Sequence, residues 1–306
     1  MTSYAHSQID KDLPRMSFKK PAVIINVAAG STSDISQDIA TIFEHHNYPP
    51  PTISLVEPED LSEALSAIGR DGTDLLVIYG GDGTCKAGAI AARAAAIPII
   101  ALPGGTMNML PKAFYGTDDW KDALELALSQ KTPRWQTAGS VNGNIFFCGA
   151  ILGDPIVMSE ARESLRQGEV LEAIKQLPEI VTNIAHGTRF EFKVDGELFD
   201  VEANGLQIYC PFMTSGAKDP TAFELASVPQ LSMTQVIGIG ARALAQDWRD
   251  SVLIKTAQAR HIQIKGQGAF DILLDGELEQ IACPITIALE PEGVLVLAPD
   301  LHEKAQ

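Results

Sequence analysis

The residues that first suggest chemistry stand at positions 80–84, in the run "VIYGGDGTCKAGAI" (77–90). Gly80, Gly81 and Gly83 can adopt positive φ and let a ligand approach the backbone closely. The N–H groups at the start of a following helix suit a phosphate. A lone carboxylate, Asp82, would repel that phosphate unless a divalent cation such as Mg²⁺ stood between them. A GGDGT run straight after a β-branched strand therefore predicts a nucleotide–metal site, with Thr84 adding a hydroxyl. A second junction of the same kind is "LPGGTMNML" (102–110). There Gly104 and Gly105 give backbone access, and Thr106 and Asn108 offer side-chain hydrogen bonds. By itself this run reads equally well as a helix cap.

The elements that must position these residues follow from hydrophobic periodicity. Positions 21–135 alternate strand and helix signals. "AVIINVAAG" (22–30), "TISLVEP" (52–58), "DLLVIYGG" (74–81) and "IPIIALPGG" (97–105) read as strands. Ile35, Ile39, Ile42 and Phe43 share one helical face, as do Trp120, Ala123, Leu124, Ala127 and Leu128. Asp60 is placed to N-cap the helix "DLSEALSAIGR", and a further helix is expected after Thr84. Such alternation predicts an α/β domain with a parallel sheet covered on both faces. Ligands bind such sheets beyond the carboxyl ends of the strands. Asn26, Gly81–Thr84 and Gly104–Asn108 all fall there.

From about residue 137 the pattern changes. Hairpin cues recur in "VNGN" (141), "VDGE" (194), "KGQG" (265), "LDGE" (274) and "EPEG" (290), between alternating stretches such as "RFEFKV", "HIQIK" and "VLVLAP". Helices are expected near 159–177 and 235–248. The organisation predicted is a loose tail (1–20), an α/β domain (21–136) and a β-rich, sandwich-like domain (137–300) whose last strands can return to the first. The cleft between the domains is the expected site.

With 306 residues, 45% hydrophobic and 20% charged, the chain has the composition of a soluble globular protein. A formal net charge of -16 and a sequence pI near 4.7 disfavour nucleic acid as the main partner. No window approaches 18 uninterrupted apolar residues, and the N-terminus has no signal-peptide core. The cysteines, Cys85, Cys148, Cys210 and Cys283, are far apart in sequence and read as buried thiols of a cytoplasmic protein. His45 and His46 read as a solvated pair.

Taken together, "NVAAG" (26–30), GGDGT and "PGGTMN" resemble the diacylglycerol kinase catalytic-domain family. That family includes bacterial lipid kinases and the sphingosine and ceramide kinases, and carries N-P-x-x-G, GGDGT and P-x-G-T-x-N in this order at about this spacing. The resemblance covers roughly 21–300. It implies an α/β nucleotide domain followed by a β-sandwich, and transfer of the γ-phosphate of ATP to a lipid hydroxyl. ATP and Mg²⁺ are the implied cofactors. Asn26, Gly30, Gly80, Gly81, Asp82, Gly83, Thr84, Lys86, Gly104, Gly105, Thr106 and Asn108 fall on the nucleotide motifs, with Asp82 as metal ligand.

The sequence "DGEL" occurs at 195–198 and at 275–278. Turn propensity explains both copies and does not choose between them. The family's acidic D-G-E near the C-terminus matches Asp275 and Glu277, which the resemblance makes the catalytic carboxylates. Asp195 and Glu197 are left as a solvated hairpin. The implied partners are a lipid with a free hydroxyl, a membrane surface in transient contact, and a second copy should the chain form a homodimer.

The chain also departs from the family. Val27 replaces the usual Pro, Ser31 stands where a basic residue is common, and Cys85, Lys86 and Ala87 occupy the place of x-Asn-Glu. Lys86 reads either as a substitute cation or as a solvated helix lysine. Residues 225–236 lack the acids that bind a structural Mg²⁺ in bacterial members. Two alternatives stay open: an NAD kinase, which shares GGDGT, and a catalytically silent nucleotide-binding regulator.

Overall fold

A computed structural model describes residues 13–29, 35–153, 190–213, 219, 221–229 and 254–301. Gly30, Ser31 and the helices expected near 159–177 and 235–248 lie outside the described residues. The chain divides into two units, residues 1–138 with 290–306, and residues 139–289.

In the first unit the strands β1 (Pro21–Asn26), β2 (Thr52–Val56), β3 (Leu75–Gly80) and β4 (Ile99–Pro103) are parallel, in the order β2-β1-β3-β4. The helices are α1 (Ile35–His45), α2 (Leu61–Ser66), α3 (Asp82–Ala95), α4 (Met109–Tyr115) and α5 (Trp120–Ser129). Every residue of β3 and β4 is buried, as expected of central strands in a parallel sheet covered on both faces. Ile35, Ile39, Ile42 and Phe43 of α1, and Ala123, Leu124, Ala127 and Leu128 of α5, are the buried stripes that the periodicity predicts.

Several local expectations are corrected. Asp60 precedes α2 but makes no side-chain cap; a 3₁₀ turn, Pro58–Asp60, feeds the helix instead. The helix after GGDGT begins at Asp82 rather than beyond Thr84. Residues 16–20 are not a loose tail. Phe18 is buried and stacks on Tyr48 with ring centroids 5.9 Å apart, and the backbone N–H groups of Lys19 and Lys20 donate to Asp74. His46 is not merely solvated, since its Nε2 pairs with Glu125.

The second unit is antiparallel. It begins within β5 (Arg134–Val141) and continues through β6 (Asn144–Phe146), β7 (Gly149–Gly153), β8 (Phe190–Val194), β9 (Glu197–Tyr209), β10 (Phe223–Pro229), β11 (Lys255–Ala259), β12 (His261–Lys265), β13 (Ala269–Leu274), β14 (Glu277–Ala282) and the start of β15 (Ile285–Val296). The main strand order is β14-β13-β7-β9-β8-β12-β15, with β10 beside β9 and β11 beside β10. Its core gathers Phe146, Phe190, Phe192, Leu206, Ile208, Phe223, Ile262 and Ile285.

Three two-residue hairpins connect these strands, at Asn142-Gly143, Asp195-Gly196 and Asp275-Gly276. All six residues have positive φ, the signature of the type I′ turn that Asn-Gly and Asp-Gly favour. "EPEG" is no hairpin. β15 runs through it without interruption, its early residues paired with β12 and Val296 beside Ile99 of β4. A turn would forfeit both sets of ladder bonds. Arg93 fastens the later part of this strand in the first unit, donating to the carbonyls of Glu292 at 2.6 Å and Gly293 at 2.5 Å.

Candidate active site

Glycine turns close the carboxyl ends of β3 and β4, which lie side by side with Gly80 opposite Pro103. None of Gly80, Gly81, Gly83, Gly104 and Gly105 has positive φ; Gly81, the N-cap of α3, is extended at φ -75, ψ -179. Close approach is what requires glycine here. A Cβ on Gly105 would lie 2.7 Å from the Gly81 Cα, one on Gly104 3.0 Å from the Tyr79 ring, and one on Gly80 2.5 Å from the Thr84 side chain. The two turns therefore pack backbone against backbone.

Polar bonds lock this arrangement. The Gly104 N–H donates to the Gly80 carbonyl at 2.9 Å. Asn108 is buried in the left-handed conformation, φ 51. Its Oδ1 accepts from the Gly105 N–H and its Nδ2 donates to the Gly105 carbonyl, each at 2.8 Å. Asp82 Oδ1 accepts from the N–H of Met109 at 2.6 Å and of Leu110 at 3.4 Å, so this carboxylate caps α4 from the neighbouring turn.

Accordingly the N–H groups of Gly104 and Gly105 are spent within the protein rather than offered to a ligand, and Asn108 braces its own loop. Thr106 is exposed at the tip. What remains to meet an anion is the start of α3, where the N–H groups of Gly81, Asp82, Gly83 and Thr84 have no intrahelical acceptor. The Thr84 hydroxyl is aligned by Asn26, whose Nδ2 donates to it at 2.8 Å while the Asn26 Oδ1 accepts from Ala28. Lys86 is buried, contrary to the solvated alternative. Cys85 is fully buried behind the turn, and burial first and Asp82 second push its thiol well up.

In the second unit, Asp275 occupies the first turn position between β13 and β14 with φ 53. Its Oδ2 accepts from the Phe147 N–H at 2.8 Å, and its Oδ1 from Cys148 at 2.7 Å and Gly149 at 3.0 Å. Its own N–H donates to the Gly149 carbonyl. Glu277, two residues on, is exposed at the start of β14.

The other "DGEL" copy repeats the design. Asp195 Oδ1 accepts from Arg260 and His261, and the Asp195 N–H donates to the His261 carbonyl. Asn142 does the same with Thr286. Asp195 is thus a structural clasp rather than an idle solvated turn. The partners of all three clasps lie 65 to 144 residues away, so no local sequence signal announces them.

Residues 20–138 match the family model of the diacylglycerol kinase catalytic domain. Among solved structures, a diacylglycerol kinase from Bacillus anthracis is 16% identical with a TM-score of 0.69, over 93% of this chain and 98% of that one. Two further structures from the same organism, provisionally assigned as diacylglycerol kinases, are each 18% identical over the same shares, with TM-scores of 0.70 and 0.69. At these identities the structural likeness shows the fold. No curated protein matches the sequence.

Proposed function

We propose, from the likeness of residues 20–138 to the diacylglycerol kinase catalytic domain, that this chain transfers the γ-phosphate of ATP to the free hydroxyl of a diacylglycerol-like lipid. The observation that carries this reading is the locked pair of glycine turns at the carboxyl ends of β3 and β4. They leave the first turn of α3 facing outward as an anion cradle.

Each residue then has a part. The N–H groups of Gly81, Gly83 and Thr84 hold phosphate oxygens, and Asn26 keeps the Thr84 hydroxyl aligned as a donor. Lys86 contributes positive charge from within α3. Gly104, Gly105 and Asn108 do not touch the nucleotide; they hold the second turn against the first. Among the described residues no cluster of three metal-ligating side chains exists. A single carboxylate, Asp82 with Oδ1 engaged in the cap, fits an ion that arrives bound to the phosphates, as Mg²⁺ commonly does. Mg²⁺ held there would neutralise charge on the transferring phosphoryl group.

Glu277, exposed beside the turn, accepts the proton of the lipid hydroxyl, an assistance typically worth about 10²–10⁴-fold. Asp275, with three backbone N–H groups on its carboxylate, fixes that turn.

A diacylglycerol-like acceptor resides in a bilayer, so the enzyme acts from the cytoplasm at the membrane surface. Among the described residues no helix is long and apolar enough to cross a membrane. One observation favours a second reading, a silent nucleotide-binding regulator: the carboxylates of Asp82 and Asp275 are both engaged by backbone N–H groups.

The test is incubation with γ-labelled ATP, Mg²⁺ and a panel of diacylglycerol, monoacylglycerol, phosphatidylglycerol, sphingosine, ceramide and NAD. Label in a lipid supports the proposal and names the acceptor. Label in NAD replaces it with an NAD kinase. No label, with ATP binding still detected by thermal shift, replaces it with the regulator.

A further inference from the structure

Cys148 and Cys210 are 62 positions apart in the chain and meet beside the paired ends of two strands. β7 and β9 pair antiparallel with Gly149 opposite Tyr209, and one step further the Cys210 N–H donates to the Cys148 carbonyl at 3.0 Å. The two residues lie just beyond the ends of the strands and make one of the two bonds that a facing pair can exchange, since the Cys148 N–H goes to Asp275; Cα atoms in this register are about 5.5 Å apart. Disulfides span Cα separations of roughly 4.4–6.8 Å. Both cysteines carry thiols and both are buried, Cys148 at 6% exposure and Cys210 at 0%.

The pair is joined directly to the Asp275 turn. The Cys148 N–H is one of the three donors on the Asp275 carboxylate, at 2.7 Å. Facing Cβ atoms in a sheet lie about 4.5–5.5 Å apart, and a disulfide draws them to about 3.8 Å. A rotation of the Cys148 peptide that closed this gap would carry its N–H off the Asp275 carboxylate.

We propose that Cys148 and Cys210 form a reversible cross-strand disulfide that loosens the Asp275 turn, a redox switch on the second unit. That the switch also lowers phosphoryl transfer rests on the function proposed above.

The oxidant is a low-molecular-weight disulfide such as oxidised glutathione. The sulfur of Cys148, the less deeply buried residue of the two, attacks it as a thiolate; one glutathione leaves as a thiol and a mixed disulfide remains. The Cys210 sulfur then attacks the Cys148 sulfur, and the second glutathione departs with the Cys210 proton. Two protein thiols are oxidised and one small disulfide is reduced to two thiols. Burial, with Asp275 in second place, pushes the Cys210 thiol well up. Its attack therefore proceeds as its proton passes to the leaving glutathione sulfur, and it meets the oxidant only through its neighbour.

The experiment treats the full chain with oxidised glutathione and reads intact mass, linked peptides and backbone amide exchange at Phe147, Cys148 and Gly149. The expected result is the loss of two hydrogen masses, a peptide linking Cys148 to Cys210, and exchange at those three amides faster by about tenfold or more. A thiol reductant should reverse all three. Cys148→Ser and Cys210→Ser should each prevent the mass loss, so either variant suffices if the other fails to fold. The proposal is overturned by a lasting glutathione adduct on Cys148, by absence of reaction, by linkage through Cys85 or Cys283, or by a Cys148–Cys210 disulfide that leaves the exchange unchanged. These readouts need no turnover, so they stand apart from the kinase assay.

Discussion

Asp82 and Met109 are joined by a 2.6 Å hydrogen bond from the backbone N–H of one to the carboxylate of the other, across 27 positions of sequence. The carboxylate of GGDGT therefore caps a helix that starts in the second glycine turn. Removing the acceptor in Asp82→Ala should cost about 1–2 kcal/mol of stability, the usual worth of a helix cap. Asp82→Asn keeps an oxygen for the cap and loses only the charge. It should unfold close to the wild type in urea yet lose ATP-dependent turnover. If both variants were equally unstable and equally active, the charge of Asp82 would have no catalytic part.

Gly105 and Gly81 admit no intervening methyl group. Gly105→Ala places a Cβ 2.7 Å from backbone, and backbone does not yield as the end of a flexible side chain would. We expect the two turns to separate, at a cost of about 1–3 kcal/mol. ATP affinity, read by calorimetry, should fall at least as sharply as stability. Unchanged ATP affinity would show that the packing of the turns does not shape the cradle.

Asp275 and Asp195 make the same clasp, with three backbone donors on one and two on the other. Truncating Asp275 to Ala leaves half-buried N–H groups without acceptors and should lower stability by about 1–3 kcal/mol in chemical denaturation, whereas the donors on Asp195 are exposed to water and its truncation should cost less. Activity should separate them. Glu277→Gln should reduce kcat by about 10²-fold or more, and Asp275→Asn should reduce it through the turn. Asp195→Asn should leave kcat unchanged. Loss of kcat in Asp195→Asn would reverse the assignment of the two copies.

Asp71 gives a pH-dependent test. Its carboxylate is held below the ordinary value of 3.8, first by the backbone N–H of Thr73 and then by the Thr73 hydroxyl. A carboxylate depressed on folding contributes stability above its unfolded pKa and loses it as pH falls through the folded value. The stability difference between wild type and Asp71→Asn should therefore be constant from neutral pH to about pH 4 and shrink below it, measured by urea titration at each pH. A difference that persisted undiminished at pH 2 would remove the ionised carboxylate as its cause.

Thiol labelling offers a last check on burial. Iodoacetamide attacks thiolates. Burial raises the thiols of Cys85, Cys210 and Cys283, but only Cys283 among these is partly exposed. Native protein should be alkylated at Cys283 well before Cys85 or Cys210, by peptide mass mapping.

The sequence by itself determined the parts that depend on local pattern. Apolar periodicity fixed the buried faces of α1 and α5, and the strand-turn-helix runs located both glycine turns. The Asn-Gly and Asp-Gly dipeptides located three hairpins, because only residues tolerant of positive φ fit a type I′ turn. Tertiary structure alone decided what those residues touch. Gly81 meets Gly105 only because β3 and β4 are neighbours, and Asp82 finds Met109 for the same reason. Asp275 reaches Phe147 to Gly149 only through the register of β13 on β7, and Cys148 meets Cys210 only through that of β7 on β9. "EPEG" failed as a turn because β15 has ladder partners on both sides of it, which a local signal does not contain. Local propensity acts over a few residues, whereas a hydrogen bond between residues 27 or 128 apart depends on where the whole chain has placed them.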